Sequence, residues 1–152
     1  MRVGIAALAA LFVIAAPAAA QEQPGWSYAY VDGVATASER NERGDVIATI
    51  TCRPPDGDII LTDYSFRDSR VRRAARVDVR IGAVSVNIPV EVERARGNGR
   101  RHAVIVHLPQ RPPILAAVQP NDQLSVSIAG QSRTFFRGAP QRMEEVAFAC
   151  WQ

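Results

Sequence analysis

The sequence predicts a mainly β fold: an antiparallel β-sandwich or flattened barrel with one short helix and a C-terminal helix. Several runs rich in Val, Ile, Thr and aromatic residues are separated by Gly, Pro, Asn and Asp, which is typical of short strands joined by turns. Two neighbouring runs alternate between apolar and polar residues, the period of a half-buried strand. Near the C terminus the apolar residues instead recur at helical spacing.

The first 20 residues are predicted to be a cleavable signal peptide. Arg2 precedes an apolar run over residues 3–16, and Pro17 with three alanines precedes Gln21. The apolar run is shorter than the roughly 20 residues that a membrane-spanning helix needs, and no later segment is a better candidate. Because residue 21 is not Cys, a lipoprotein anchor is disfavoured. We therefore expect one mature domain, residues 21–152, that is periplasmic or secreted and has no transmembrane segment.

The basic residues are weak evidence for a partner. All 18 Lys+Arg residues are Arg, and loss of Arg2 with the signal peptide leaves 17 against 15 acidic residues, a mature net charge of +2. A basic set made only of Arg is more readily explained by a GC-rich genome than by a demand for guanidinium chemistry, so it is not a nucleic-acid signature. Together with export, this balance predicts that the protein does not bind nucleic acid.

The first three predicted strands cover residues 26–31, 46–52 and 59–66, and turn sequences with Gly, Asp, Asn or Pro lie between them. The clearest alternation follows, at Val77, Val79 and Ile81, and then along residues 84–92. These two strands are predicted to form a hairpin that turns at Gly82-Ala83. Pro89 lacks an N–H group for the ladder, so its strand is expected at a sheet edge or at a bulge.

The second half of the chain continues the β pattern. A strand is predicted over residues 102–108, a short proline-flanked helix over 114–118, and strands over 124–128 and 134–136. From Pro140, the apolar residues Met143, Val146, Ala147 and Cys150 fall at i, i+3, i+4 and i+7. They predict a C-terminal helix whose apolar face, including Cys150, points to the core.

Cys52 and Cys150 are the two cysteines of the chain. An even number in an oxidising compartment is first interpreted as a disulfide, and the alternative is a reactive thiol. No C-x-x-C spacing, adjacent His or basic run favours a reactive thiol. A bridge that closes nearly the whole domain would add about 4 kcal/mol to the free energy of unfolding by restricting the unfolded chain.

The positions of Trp26, Cys52, the Phe136-Arg137-Gly138 run and the final Cys150-Trp151 pair carry a resemblance. The chain resembles exported proteobacterial proteins of the invasion-associated-locus-B-like type. It is also similar to a type VI secretion accessory family whose chains end in a helix with Cys and then Trp. The resemblance implies a periplasmic β-sandwich with a structural disulfide and no assigned catalytic residue.

The remaining chemical groups give little sign of catalysis or metal binding. His102 and His107 have an odd separation on one predicted strand, so they are expected on opposite faces and cannot share a metal. Asp56, Asp58 and Asp63 lack the spacing and closing Glu of a calcium loop. No G-x-S-x-G or equivalent nucleophile motif is present. We expect no enzymatic activity, no metal and no cofactor.

Arginines flank the predicted 77–92 hairpin and form the candidate functional surface. Its residues are Arg72, Arg73, Arg76, Arg80, Arg100 and Arg101. Guanidinium groups suit phosphate and carboxylate partners. The simpler alternative, favoured on sequence grounds, is a solvated face whose charges are balanced by nearby acidic residues.

The sequence therefore predicts an exported non-enzymatic binding or accessory protein of the cell envelope. Its partner would be an envelope protein or an anionic envelope component, reached through the arginine-bearing end of the hairpin and not through a deep pocket. The alternative is a periplasmic inhibitor of a lytic enzyme or protease, and a hydrolase is ranked last. No feature of the sequence indicates an oligomeric state.

Overall fold

Two antiparallel sheets and one C-terminal helix make up the architecture. The computed structural model describes residues 24–52, 57–95, 102–108, 113–116 and 118–151. In spatial order, the larger sheet contains β1 (Gly25–Val31), β2 (Val34–Arg40), β3 (Val46–Cys52), β4 (Ile59–Asp63), β8 (His102–Leu108) and β7 (Glu91–Arg94). The smaller sheet contains β10 (Gln131–Thr134), β9 (Leu124–Ile128), β5 (Arg76–Ile81) and β6 (Val84–Pro89). The predicted β-sandwich is confirmed, and within the described residues the sheets do not close into a barrel.

Alternation along the strands builds the core between the sheets. Ile50 and Leu61 of the larger sheet and Val79 and Val126 of the smaller sheet are completely buried. Their strand neighbours at odd offsets are half-buried or exposed, as expected when one face of each sheet is covered and the other meets solvent. The period-2 pattern in the sequence thus correctly predicted which side chains fill the core.

Strand β2 is not predicted by the sequence pattern. It pairs with β1 through a two-residue turn at Asp32 and Gly33, which have φ values of 52° and 75°. Positive φ at both central residues is the type I′ geometry that suits the twist of a hairpin. The strand's inward residues include two alanines and a glutamate, so its apolar signal was too weak to indicate a buried strand.

The predicted 84–92 strand is in fact two strands in different sheets. β6 ends at Pro89 on the edge of the smaller sheet, and β7 begins at Glu91 and pairs with β8 in the larger sheet. Val90 donates its N–H to the carbonyl oxygen of Ala75, 3.2 Å away, as the chain crosses. The expected edge position of Pro89 is confirmed, and the proline marks the point where the chain changes sheet.

Three predicted boundaries were wrong. β4 ends at Asp63 and not at residue 66, because the Asp63 carboxylate accepts the Ser65 N–H at 2.8 Å and turns the chain. The predicted 114–118 helix is a single 3-10 turn, Pro113–Leu115. The strand predicted over 134–136 lies earlier, at β10, because a turn at Ala129 and Gly130, both with positive φ, fixes its pairing with β9.

The C-terminal helix α1 (Ala139–Cys150) is confirmed, with Pro140 in its first turn. Its buried face contains the predicted Met143, Val146, Ala147 and Cys150. The helix packs chiefly on β2 and β3, and Cys150 forms a disulfide with Cys52 at the end of β3, with 5.9 Å between the Cα atoms. Among the described residues, no helix is long and apolar enough to cross a membrane.

Candidate functional site

A short 3-10 helix, Ser69–Arg73, positions part of the predicted arginine surface. Its start is fixed by Asp68, whose side chain accepts the Arg70 N–H at 2.8 Å. Val71 is completely buried and anchors the turn to the core. Because a 3-10 helix has three residues per turn, an inward Val71 leaves Arg72 and Arg73 on the outside, and both are exposed.

Arg70 lies in the same turn but its charge is already paired. Its guanidinium contacts the Asp68 carboxylate at 2.7 and 2.8 Å, although 73% of the Arg70 side chain remains exposed. This side-chain hydrogen bond, with the backbone hydrogen bond from Arg70, lowers the pKa of Asp68 below its ordinary value. Arg70 therefore carries little unbalanced charge for a partner.

The outer face of β5 carries the next two predicted residues, Arg76 and Arg80. The inward residues of β5 are all buried, so both arginines point away from the core. Arg76 contacts the side chain and carbonyl of Asn87, and Asn87 donates to Asp78 at 2.7 Å. Asp78 thus balances Arg76 through an amide bridge across the hairpin.

Arg80 lies toward the other end of β5, beside the hairpin turn. Its register neighbours are Ser85 on β6 and Ser125 on β9. It borders a shallow hollow of about 290 Å³ that also includes polar groups of Asn121 and Thr134. These hydroxyl and amide groups could share the hydrogen bonds of an oxyanion held by Arg80.

We call Arg72, Arg73, Arg76 and Arg80 the arginine face. Within the described residues, Arg72, Arg73, Arg76 and Arg80 form no ion pair, whereas Arg70 is paired with Asp68. Arg76 is linked to Asp78 only through the Asn87 amide. Ser69, Arg70, Arg72 and Arg73 line a surface pocket of about 320 Å³. Neutralisation by nearby acids, the simpler sequence interpretation, therefore applies to only part of the surface.

The arrangement differs from the predicted patch in one respect. The sequence analysis expected the arginines at one end of the hairpin, but Arg76 and Arg80 are four residues apart along β5, about 13 Å in an extended strand. Arg76 and Arg80 consequently lie along the length of β5 and do not cap its turn, and Arg72 and Arg73 lie on the preceding 3-10 helix. Arg100 and Arg101 lie outside the described residues.

The histidines and aspartates considered as metal ligands are not brought together within the described residues. His102 is buried and His107 is exposed on β8, so the prediction that they lie on opposite faces is confirmed. Asp58 is exposed, whereas Asp63 is buried and faces an arginine, and Asp56 lies outside the described residues. The acidic set considered for calcium is thus divided between the surface and the interior.

Sequence reasoning missed a buried ionic cluster between the sheets, formed by Glu39, Asp63 and Arg133. Arg133 on β10 contacts Glu39 on β2 and lies 2.6 Å from the Asp63 carboxylate on β4. Only 1% of each carboxylate side chain is exposed, against 14% for Arg133. The Phe136 N–H also donates to Glu39 at 2.6 Å. This cluster ties the two sheets together, and its members are too far apart in sequence to be recognised as a unit.

Aromatic rings cover this cluster. The guanidinium carbon of Arg133 lies 4.4 Å from the centroid of the Phe135 ring, a cation–π contact. The Trp26 ring packs against Phe135 with 6.1 Å between centroids. Because the rings exclude water, the charges interact in a low-dielectric environment, where loss of one partner is costly.

The pH dependence of the free energy of unfolding should report the protonation of Glu39. Burial, the largest cause, raises the pKa of Glu39 above its ordinary value of 4.5, against the opposing effects of the Phe136 N–H and Arg133. Because the folded chain then holds this proton more tightly than the unfolded chain, the stabilising contribution is present below about pH 4.5 and is lost as pH rises through the folded pKa. We therefore expect the unfolding free energy of the unmodified chain, relative to that of Glu39→Gln, to fall as pH rises from about 4 to about 7.

Urea unfolding at intervals from about pH 4 to about pH 7 measures this, because comparing the two proteins at each pH isolates the contribution of position 39. Glu39→Gln keeps an oxygen for the Phe136 N–H and is expected to fold. Parallel pH profiles for the two proteins would contradict the assignment.

Comparison with protein-family models, curated proteins and solved structures found no match to this chain. The resemblance to the invasion-associated-locus-B-like and type VI secretion accessory proteins stays a prediction from the sequence.

Proposed function

We propose that the protein is an exported, non-catalytic binding protein of the cell envelope that uses its arginine face to hold an anionic component. One observation carries the proposal: Arg72, Arg73 and Arg80 are exposed on a rigid scaffold and have no carboxylate partner within the described part of the chain. Guanidinium groups present several donors in a fixed fork that matches phosphate and carboxylate oxygens.

Export is supported by the leader-like N-terminal sequence and by the Cys52–Cys150 disulfide. Such bonds form and persist mainly in oxidising compartments. The non-catalytic role is supported by the same bond, because it occupies both cysteines and leaves neither as a nucleophile. The location proposed is the periplasm or the exterior of a bacterial-type cell.

The scaffold explains how the arginines would remain available. Val71 anchors the 3-10 helix, and the inward residues of β5 fix the strand below Arg76 and Arg80. The side chains are therefore presented without ordering of a loop, which reduces the entropy lost on binding. Attraction between such a face and an anionic surface weakens as salt rises.

The test compares two variants that remove the same charge. Arg72→Ser with Arg73→Ser removes two unpaired guanidinium groups, whereas Arg70→Ser with Arg76→Ser removes one that is paired with Asp68 and one that is held by Asn87. We expect the first variant to bind phosphatidylglycerol-containing vesicles about 30-fold more weakly at low salt, since each arginine near an anionic surface contributes about 1 kcal/mol. The second should lose clearly less.

Vesicle co-sedimentation at low and moderate salt measures this, with phosphatidylcholine vesicles as the neutral control and circular dichroism to verify folding. Equal losses in both variants, or binding that does not respond to salt, would show that the arginine face is only solvated. Capture of a lysozyme or protease from envelope extract, unaffected by the first variant, would favour the inhibitor alternative.

A further inference from the structure

Strand β1 is an edge strand without the usual protection against pairing. It is seven residues long, lies at one end of the larger sheet and contains no charged residue or proline. The other edge strands differ: β7 carries three charged residues in four, β6 ends in Pro89, and β10 has four residues that include Arg133. Natural sheets use charge, proline and short length to prevent edges from joining. Among the edge strands of the described residues, only β1 lacks all three.

The hairpin geometry identifies which backbone groups of β1 face outward. In a two-residue type I′ hairpin, the residues flanking the turn form a hydrogen-bonded pair, here Val31 and Val34. Such pairs alternate along an antiparallel ladder, so Ala29 and Ser27 also bond to β2. The N–H and C=O groups of Trp26, Tyr28 and Tyr30 therefore point away from β2, toward the open edge.

Exposed aromatic side chains lie beside this edge. Tyr28 is 37% exposed and Tyr30 is 55% exposed on the face where α1 packs, and Phe148 of α1 is 70% exposed. The three rings border one surface hollow of about 460 Å³, together with Glu145 and Ala149. With 150 to 250 Å² per aromatic side chain, their exposed parts present roughly 300 Å² of surface. Apolar patches of this size often mark interaction sites.

We propose that β1 pairs antiparallel with β1 of a second copy of this chain, with the twofold axis at Tyr28. In this register Tyr28 faces Tyr28 of the second copy, and each Trp26 faces a Tyr30. The backbone N–H and C=O groups of Trp26, Tyr28 and Tyr30 in each strand are then all paired, and the pairing forms about six inter-chain hydrogen bonds. Moving the axis to Ser27 or Ala29 leaves one of these residues unpaired in each copy.

The chemistry of the edge favours a second copy over a charged peptide. An uncharged strand opposite itself brings no like charges together, and the aromatic residues meet aromatic residues on one face while Ser27 meets Ala29 on the other. The one acid at the hollow, Glu145, is already paired with Arg142 at 2.6 Å. The two sheets would join into one continuous sheet, an isologous interface that closes as a dimer.

The fraction of chains in the dimer should rise with protein concentration. The exposed aromatic area is less than half of the roughly 800 Å² per partner in a standard interface, so most of the affinity of the dimer comes from the hydrogen bonds of the backbone ladder. This inference does not depend on the arginine face, whose residues lie on the 3-10 helix and on β5 and not on β1 or α1. A variant that loses vesicle binding should still form the dimer, and a monomeric variant should still bind vesicles.

Charge placed on the axis gives the sharpest test. Tyr28→Lys and Tyr28→Glu each oppose like charges across the twofold axis and should be monomeric at concentrations where the unmodified protein dimerises. An equimolar mixture of the two variants should recover a dimer. Ser85→Lys, on another edge strand, adds the same charge as Tyr28→Lys and should dimerise normally. Sedimentation equilibrium of the disulfide-bonded protein from about 10 µM to about 1 mM measures each state.

Cross-linking tests the register. Residues in a hydrogen-bonded antiparallel pair have Cα atoms about 5.5 Å apart, which suits a disulfide. Tyr28→Cys should therefore cross-link efficiently under mild oxidation, whereas the two copies of Tyr30→Cys would be about 14 Å apart and should not. A protein that stays monomeric at the highest concentration, a dimer indifferent to charge at Tyr28, or equal cross-linking of both cysteine variants would overturn the proposal.

Discussion

Arg133→Met is expected to lower the free energy of unfolding by about 3 kcal/mol or more, because it leaves two buried carboxylates without their cation. Glu39 and Asp63 are each 1% exposed, and Arg133 contacts both. Methionine keeps much of the apolar stem that packs beside Phe135 but supplies no charge or donor. Urea unfolding at neutral pH measures the loss.

A surface arginine provides the matched control. Arg142 is 35% exposed and forms an i, i+3 ion pair with Glu145 on α1, so Arg142→Met should cost at most about 0.5 kcal/mol. Adding Glu39→Gln and Asp63→Asn to Arg133→Met should recover part of the stability, since the uncompensated charges are removed. Similar costs for Arg133→Met and Arg142→Met would show that the buried cluster does not stabilise the sandwich.

Replacing Cys52 and Cys150 together by Ala should lower the free energy of unfolding by about 4 kcal/mol. The bond joins residues 98 apart in sequence, and closing such a long loop removes much of the conformational freedom of the unfolded chain. Because the bond fastens the C-terminal end of α1 to β3, the helix should loosen before the sheets do. Urea unfolding measures the loss in the free energy of unfolding, and hydrogen exchange of the α1 amides shows whether the helix loosens before the sheets.

The unmodified protein treated with a reductant is the matched control and should unfold at nearly the same urea concentration as the double alanine variant. Mass measurement with and without reduction should reveal no free thiol in the native protein produced by periplasmic expression. Two alkylatable thiols in that material, or unchanged hydrogen exchange along α1 in the variant, would refute the expected role of the bond.

The sequence predicted the fold well where the signal was local. Val77, Val79 and Ile81 alternate with polar residues, and this pattern alone places them on the buried face of β5. Met143, Val146 and Cys150 recur at helical spacing and form the buried face of α1. Boundaries were wrong where a side chain or a turn intervened, as at Asp63 and at Ala129-Gly130.

The candidate site was predicted only in part. The sequence correctly indicated that Arg80 faces away from the core, since it follows from the alternation of β5. It could not distinguish Arg70 and Arg76, which have acidic neighbours in space, from Arg72 and Arg73, which have none within the described residues. That distinction depends on side-chain geometry around one 3-10 turn and one hairpin.

By itself, the sequence determined the strand-rich architecture, the C-terminal helix and the pairing of its two cysteines, because hydrophobic periodicity and a count of two leave few alternatives. Only the tertiary structure decided how the chain divides between the two sheets and which charges enter the interior. Arg133 and Glu39 are 94 residues apart. The sequence around Glu39 predicts an exposed side chain, because the guanidinium that allows its burial comes from the other sheet. The unprotected edge of β1 has the same origin, since a strand becomes an edge only through the order in which all the strands pair.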